Sequence, residues 1–404
     1  MRIILHVDMN SYFASVEQQA NPFLRGRSVG VCAYLSKNGT ILASSKEAKA
    51  KGVRTGMSMA DAKVLDPKIV FVENEPAKYR VVTARIFAIL AEYTDKFEPY
   101  SIDEAFIDLY NTVDTYEQAE AIGHEIQERI LKEVGEWLRC SVGISWTKFL
   151  AKFAGDTAPK GGILSIRPDN LEACLEKPVT EAWGIATAME RRLGLLGIRT
   201  LNELRRFDAI RLKKTLGLYG YYLWANVNGQ EISVVTKGSV PPKSIGHSYC
   251  IPQRTTDRDY LDKILYKLCE KTGRRLRERG FEASRVSVQA GLTSGDSCGH
   301  GERLAEKVFT TEEIFAVVMK QFDRFELTAS VRMLAVSVSG LAPLSGQLSI
   351  FGGNTKGREL SKALDKINNR FGDYTVRRGA MLGAENMAHD RIGFRKTVAF
   401  TPVD

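Results

Sequence analysis

The sequence predicts a multidomain α+β protein, and three observations carry that expectation. At 404 residues the chain exceeds what one ordinary hydrophobic core organises. Up to about residue 166, short apolar strands alternate with helical patterns, as in a mixed sheet backed by helices. Near residue 177 the composition turns to short basic helices, and after a break at 230–243 the pattern restarts as strand, helix, two strands, helix and strand. With 44% hydrophobic and 26% charged residues, the chain is globular and not disordered.

Residues 1–10 read as a strand buried on both faces, with Asn10-Ser11 offering a cap for the helix that bears Phe13 and Val16. Strands at 28–34 and 39–44 are joined by a Ser36-Lys37-Asn38-Gly39 turn, and short helices follow at 45–51 and 58–65. Residues 77–94 place Val82, Ile86, Phe87, Ile89 and Leu90 on one side of a longer helix. Strands at 97–102 and 105–110 flank Asp103-Glu104, and a helix at 116–136 precedes a strand at 141–144. Residues 177–230 carry nine Lys/Arg against four Asp/Glu. The stretch 230–243, with Thr236-Lys237-Gly238-Ser239-Val240-Pro241-Pro242, lacks helical periodicity and reads as an extended linker. Beyond it lie a helix at 257–279, two strands, a helix at 311–322 and a strand at 331–339. An amphipathic helix around Leu360, Leu364, Ile367 and Phe371 closes the pattern.

A net charge of +9 and a pI near 9.1 suit a polyanionic partner. The six cysteines show no CxxC or Cys/His metal spacing, which argues against a zinc site or disulfide framework and for a reduced, cytoplasmic chain. The N-terminus runs straight into a strand without signal-peptide character. No apolar run approaches the roughly 20 residues of a membrane span.

The chemistry concentrates in three acids at strand edges: Asp8 after Leu5 and Val7, and Asp103-Glu104 before Phe106, Ile107 and Leu109. Acids there are costly unless cations compensate them. Divalent ions would do so, since Mg²⁺ sits on one or two carboxylates plus substrate phosphates. Two such ions serve an in-line phosphoryl displacement. From the pair alone, a surface hairpin beginning at Asp103-Glu104 is an equal reading. Asp108 reads as structural.

Val7-Asp8-Met9-Asn10, followed by Ser11-Tyr12-Phe13-Ala14-Ser15-Val16-Glu17, together with Ser101-Ile102-Asp103-Glu104-Ala105-Phe106, resembles the Y-family (translesion) DNA polymerases, and among them the bacterial DNA polymerase IV (DinB-like) group. The resemblance runs in order over residues 1 to about 351. It implies an α+β right-hand polymerase: a palm at 1–10 and 77–166, small fingers at 11–76 and a helix-hairpin-helix thumb at 167–230. A linker at 231–243, a βαββαβ little finger at 244–345 and an extension at 346–404 follow. It further implies an open, low-fidelity site that adds dNTPs to a primer-template DNA and bypasses some damaged templates.

By resemblance, Asp8, Asp103 and Glu104 match the catalytic, metal-binding carboxylates for two Mg²⁺ ions (Mn²⁺ as a substitute), with the Met9 carbonyl completing the shell. Phe13 matches the steric gate that excludes a 2′-hydroxyl. The triphosphate grip departs from the family, whose Asn-Tyr-Glu-Ala-Arg becomes Ser45-Lys46-Glu47-Ala48-Lys49. Lysine is a point charge without arginine's bidentate fork, so nucleotide binding should be looser. Both lysines are expected on the triphosphate, the plain alternative being two solvated side chains. Lys160, in Ala158-Pro159-Lys160-Gly161-Gly162, stands one place late for a third phosphate lysine. Lys148 and Lys152 match palm-helix lysines facing substrate or DNA. Thr40, Leu42 and Gly56 match the roof over the nascent pair.

Gly184, Ala186 and Gly197 fall in the helix-hairpin-helix pattern for DNA phosphate, with Ala186 where the family has glycine. Packing alone is the other reading. Lys243 and Ser244 match the first DNA-facing strand of the little finger, whereas the run Lys271–Arg279 reads as a solvated helix face. Gln347, Leu348, Ser349, Ile350 and Phe351 resemble the peptide that docks bacterial polymerases on the β sliding clamp; a last strand of the little finger is the alternative. A monomer is expected. Two rivals stay open at this point: a polymerase-like accessory factor that binds DNA and clamp without catalysis, and another two-metal palm enzyme such as a nucleotide cyclase.

Overall fold

A computed structural model of the chain describes residues 2–36, 39–238, 241–344, 355–383 and 387–389. The described residues divide into two compact units, one up to residue 238 and one from residue 241 onward. The first begins with β1 (Ile4–Met9), α1 (Tyr12–Ala20), β2 (Val29–Cys32), β3 (Ile41–Ser44), α2 (Lys46–Ala50), α3 (Met59–Leu65) and β4 (Val70–Glu73). It continues through α4 (Pro76–Ala91), β5 (Phe97–Pro99), β6 (Glu104–Asp108), α5 (Tyr116–Arg129), β7 (Cys140–Ser145), α6 (Lys148–Thr157) and β8 (Ile163–Ser165). Five further helices follow: α7 (Leu171–Cys174), α8 (Thr187–Gly194), α9 (Leu201–Arg206), α10 (Ala209–Leu216) and α11 (Leu218–Val227).

The strands form a five-stranded sheet ordered β5-β6-β1-β7-β8 and a three-stranded sheet ordered β3-β2-β4. β1 pairs antiparallel with both neighbours, which sets Asp8 opposite Glu104 and His6 opposite Phe106 and Gly143. The two-residue period of a strand then sorts its side chains. Leu5, Val7 and Met9 enter a core with Tyr12, Ile86, Leu90 and Ile126, while Ile4 packs with Phe106, Ala151 and Val235 on the other face. His6 and Asp8 share that second face, which α6 covers. The helix comes very close because two glycines allow it. A Cβ on Gly143 would fall 2.0 Å from the Gly155 nitrogen, and one on Gly155 would fall 2.8 Å from His6 Nδ1.

Two strands went unforeseen. β4 and β8 are short and pair in parallel, with β2 and β7 respectively. The expected strand 97–102 stops at Pro99, because the Tyr100 and Ser101 amides both donate to the Glu104 carbonyl, at 3.0 and 3.1 Å. That tight turn carries Asp103. The helix expected to 136 is α-helical to Arg129 and finishes as a π turn at Ile130–Val134. The linker is also shorter than expected. Val235 is buried in the sheet's second face, the Thr236 amide donates to Glu98 at 2.9 Å, and the Gly238 amide donates to the Phe97 carbonyl at 3.3 Å. Through Gly238 the chain therefore belongs to the first unit.

The second unit follows the expected order: β9 (Ser244–Thr255), α12 (Arg258–Glu278), β10 (Phe281–Leu292), β11 (Ser297–Val308), α13 (Thr311–Phe322) and β12 (Val331–Pro343), then α14 (Thr355–Phe371). Its four strands make an antiparallel sheet ordered β11-β10-β12-β9. α12 buries Leu261, Leu265, Leu268 and Leu276.

The basic run on α12 is no solvated face. Arg277 forks onto Asp365 at 2.6 and 2.9 Å, Arg274 reaches Asp373 at 2.7 Å and Asn369 at 2.6 Å, and the Lys271 ammonium donates to the Ala388 carbonyl at 2.7 Å. These contacts dock the C-terminal extension on α12. α14 turns Ser361 and Asn368 inward and leaves Leu360, Ile367 and Phe371 exposed, the reverse of what its apolar spacing implies. Arg277 is 6% exposed, so Arg277→Ala strips a nearly buried carboxylate of its partner. The expected cost is about 3 kcal/mol. A lowered urea midpoint, with earlier proteolytic release of the C-terminal extension, would be the readout.

Candidate active site

Asp8 lies one residue before the end of β1, Asp103 sits in the turn that starts β6, and Glu104 opens that strand. The Met9 amide donates to the Asp103 carbonyl at 2.9 Å, tying the two acidic segments together. Each carboxylate meets a different neighbour. Asp103 accepts a short hydrogen bond from the Ser101 hydroxyl. Glu104 Oε2 accepts from two donors, His6 Nε2 at 3.0 Å and Lys152 Nζ at 2.7 Å. Among the described residues Asp8 has no such partner. Burial and the charges of Asp103 and Glu104 push its carboxyl up to about 7. Burial likewise raises Asp103, although its bond from Ser101 opposes this. Burial alone would raise Glu104 too, but the His6 hydrogen bond and the Lys152 charge outweigh it and hold this acid down at about 2. Burial lowers His6, so the imidazole is neutral and donates through Nε2.

Among the described residues, no three His, Cys, Asp or Glu side chains converge on one point that would hold an ion. Glu104 is drawn towards Lys152 instead. The donor set nonetheless fits hard divalent cations: three carboxylates and a strand-edge carbonyl, with a mutual repulsion that raises Asp8 and that a cation would relieve.

A cavity of about 240 Å³ opens beside the acids, lined by Asp8, Met9, Phe13, Leu42, Lys49, Asp103 and Lys160, with Ser11 and Thr55 among the remainder. The structure thus brings together seven of the residues singled out in the sequence. Phe13 stands on α1 with its ring 4.7 Å from that of Tyr79. Tyr12 is buried behind it, its hydroxyl donating to the Tyr79 carbonyl at 2.8 Å. Ser11 adopts a left-handed conformation (φ 52°) at the start of α1 and makes no side-chain cap; its hydroxyl accepts from Lys49 Nζ at 2.8 Å. Partial burial and neighbouring Lys160 lower the Lys49 ammonium, with Asp8 opposing them.

Other expected residues lie elsewhere. Lys46 does not line the cavity; its ammonium lies 5.5 Å above the Trp137 ring. Thr40 bridges to Ser58, and the Gly56 amide donates to the Ile41 carbonyl at 2.8 Å, so of the roof residues only Leu42 faces the cavity, with Thr55 beside it. Lys148 and Lys152 do not line the cavity: Lys148 is buried on Glu98 at 2.5 Å, and Lys152 is engaged with Glu104. Asp108 is structural as expected, fully buried against Arg2 at 2.7 Å.

In the helical region, Gly184 has φ 92°, and a Cβ there would fall 2.6 Å from the Tyr219 hydroxyl, which donates to the Gly184 carbonyl at 2.7 Å. Ala186 caps α8 and is exposed, and Gly197 turns the chain out of that helix with φ 79°. In the second unit Lys243 and Ser244 are exposed at the start of β9. Gln347 to Phe351 lie outside the described residues.

His6 was missed in the sequence. Its signal was its place two residues before Asp8, on the same face of the same strand.

A five-stranded sheet with carboxylates at adjacent strand ends, a smaller sheet closing a lysine-bearing cavity over them, and a βαββαβ unit define a DNA-directed DNA polymerase of the Y-family, translesion class. The chain belongs to the impB/mucB/samB family: residues 7–156 match that family's profile, and 242–350 match its C-terminal domain. It is 34% identical to DNA polymerase IV 2 of Bacillus subtilis (strain 168), over 96% of this chain and 97% of that protein. It is 33% identical to DNA polymerase IV of Pelotomaculum thermopropionicum, over 97% and 98%. Among solved structures it is similar to a Y-family DNA polymerase chimera of Dbh and Dpo4, with a TM-score of 0.75 and 25% identity over 84% of this chain and 99% of that one. No helix among the described residues is long and apolar enough to cross a membrane.

Proposed function

We propose that this chain extends a primer 3′-hydroxyl on template DNA by two-metal phosphoryl transfer, with low fidelity and with bypass of damaged templates. The cavity that gathers Asp8 and Asp103 with Phe13, Lys49 and Lys160 carries the reading. Two Mg²⁺ ions, or Mn²⁺ in their place, held by Asp8, Asp103, Glu104 and the Met9 carbonyl, would supply activation of the primer hydroxyl and neutralisation of charge on the transferring phosphorus.

The chain's own residues do the rest. Lys49 and Lys160 offer ammonium groups to the triphosphate, Phe13 lies under the sugar, and Leu42 roofs the base. Ser11 holds Lys49 at the cavity wall until phosphate oxygens replace its hydroxyl. Gly184, Ala186 and Gly197 in the helical region, with Lys243 and Ser244 at the start of β9, would grip DNA phosphates. Affinity of that kind falls with salt. Gln347–Phe351 would dock on a β sliding clamp, with the enzyme working as a cytoplasmic monomer. The small three-stranded sheet over the cavity supports an open, low-fidelity site.

Extension of a primer on an undamaged template, with four dNTPs and Mg²⁺, tests this. Wild type should extend, and Asp103→Ala/Glu104→Ala should not; extension by both would remove the acids from catalysis. Lys49→Ala should raise the dNTP KM about tenfold, the worth of one charge-assisted hydrogen bond, whereas Lys46→Ala should change it little. An equal rise in both would return Lys46 to the triphosphate.

A further inference from the structure

We infer that Lys152 is a positioning residue that competes with a divalent cation for Glu104, holding this carboxylate off the cavity until the cation takes it. The inference rests on the two-metal reading above.

Four observations converge. His6 and Lys152 both donate to the same oxygen, Glu104 Oε2, so the carboxylate is already engaged by two donors. Asp8 and Asp103 line the cavity while Glu104 does not, and among the described residues no three acids converge. Lys152 is 11% exposed, so water cannot replace its partner cheaply. Finally, the ammonium has a second carboxylate within reach: Asp156, one helical turn on, at 3.4 Å.

A cation approaching Asp8 and Asp103 repels Lys152 and attracts Glu104. Lys152 then moves its charge onto Asp156, at the exposed edge of α6. His6, held on β1 against Gly155 of α6, stays on Glu104 and limits how far the carboxylate swings. The third acid is thereby kept charged yet withheld, and cation affinity is set lower than three unshared carboxylates would give.

Binding of Mn²⁺ to the full chain, followed by its free-ion EPR signal without DNA or nucleotide, separates this from a purely structural role. Lys152→Met should bind Mn²⁺ about tenfold more tightly, because one opposing charge is gone. Lys152→Arg should stay near wild type. Asp156→Asn should bind more weakly, since the ammonium loses its alternative and remains on Glu104. Affinity unchanged or weakened in Lys152→Met, or unchanged in Asp156→Asn, overturns the inference. Asp8→Asn is the control for the reading beneath it: Mn²⁺ binding equal to wild type in that variant would place the ion elsewhere and sink the two-metal reading itself.

Discussion

Asp8→Asn is expected to abolish primer extension and, at the same time, to stabilise the cation-free protein. If Asp8 holds the ions as proposed, its loss removes several kcal/mol of transition-state charge stabilisation, a rate loss of at least about a thousandfold. Stability moves the other way. The Asp8 carboxyl titrates near 7 in the fold, against an ordinary value near 3.9 when unfolded. A carboxyl raised in this manner binds its proton more tightly when folded. Its contribution is therefore fully present below about pH 4 and is lost as pH rises through about 7. Melting curves of the cation-free wild type should fall between pH 5 and pH 8 by about 3 °C for each kcal/mol of lost stability, and Asp8→Asn should flatten that slope. Added Mg²⁺ should restore the wild type more at pH 8 than at pH 6, because the cation competes with a proton for Asp8. A wild type whose melting temperature ignores pH over this window would refute the strained acid cluster, whatever the polymerase assay shows.

Phe13→Val carries the second large effect. The Phe13 ring faces the cavity from the first turn of α1, backed by Tyr79 and by the buried Tyr12. With that support it cannot retreat from a 2′-hydroxyl without moving α1 or α4. Shortening it to valine should raise ribonucleotide incorporation relative to deoxynucleotide by about two orders of magnitude, the range open to one steric contact in a packed pocket. The deoxynucleotide kcat should fall only modestly. Single-nucleotide insertion with dNTP and rNTP side by side gives the ratio. If selectivity survives the change, Phe13 is ordinary packing and the sugar is sensed elsewhere.

Much of this architecture was legible because its elements are strongly periodic. β1 with its alternating faces, α4, α12 and the βαββαβ order all announce themselves by apolar spacing. β4 and β8 did not, because each is only a few residues long and is held by parallel pairing with a distant strand, a property of the neighbour and not of the segment. The carboxylates were readable because acids at the ends of apolar strands are costly. Their inequality was not: Asp8 is raised by burial and by the neighbouring acids, Glu104 is lowered by His6 and Lys152, and Lys152 arrives from a helix some fifty residues away. Lys46 and Lys49 look equivalent in sequence. They separate because they lie three residues apart on a short helix, one ammonium reaching Ser11 at the cavity and the other resting over Trp137. The arginines of α12 misled because the extension that covers them is remote in sequence, and their partners Asp365 and Asp373 look like ordinary surface acids.

The path of residues 231–238 along the five-stranded sheet fixes where this enzyme can be cut and rejoined. Glu98 receives both the Lys148 ammonium and the Thr236 amide, and Val235 fills the face beneath α6. A hybrid that exchanged the second unit at residue 231 would leave Lys148 sharing a half-satisfied acid beneath α6, and would expose Ile4 and Phe106. Placing the junction after Gly238 spares all of these, so hybrids made there should keep the first unit's sheet and cavity intact whichever second unit follows.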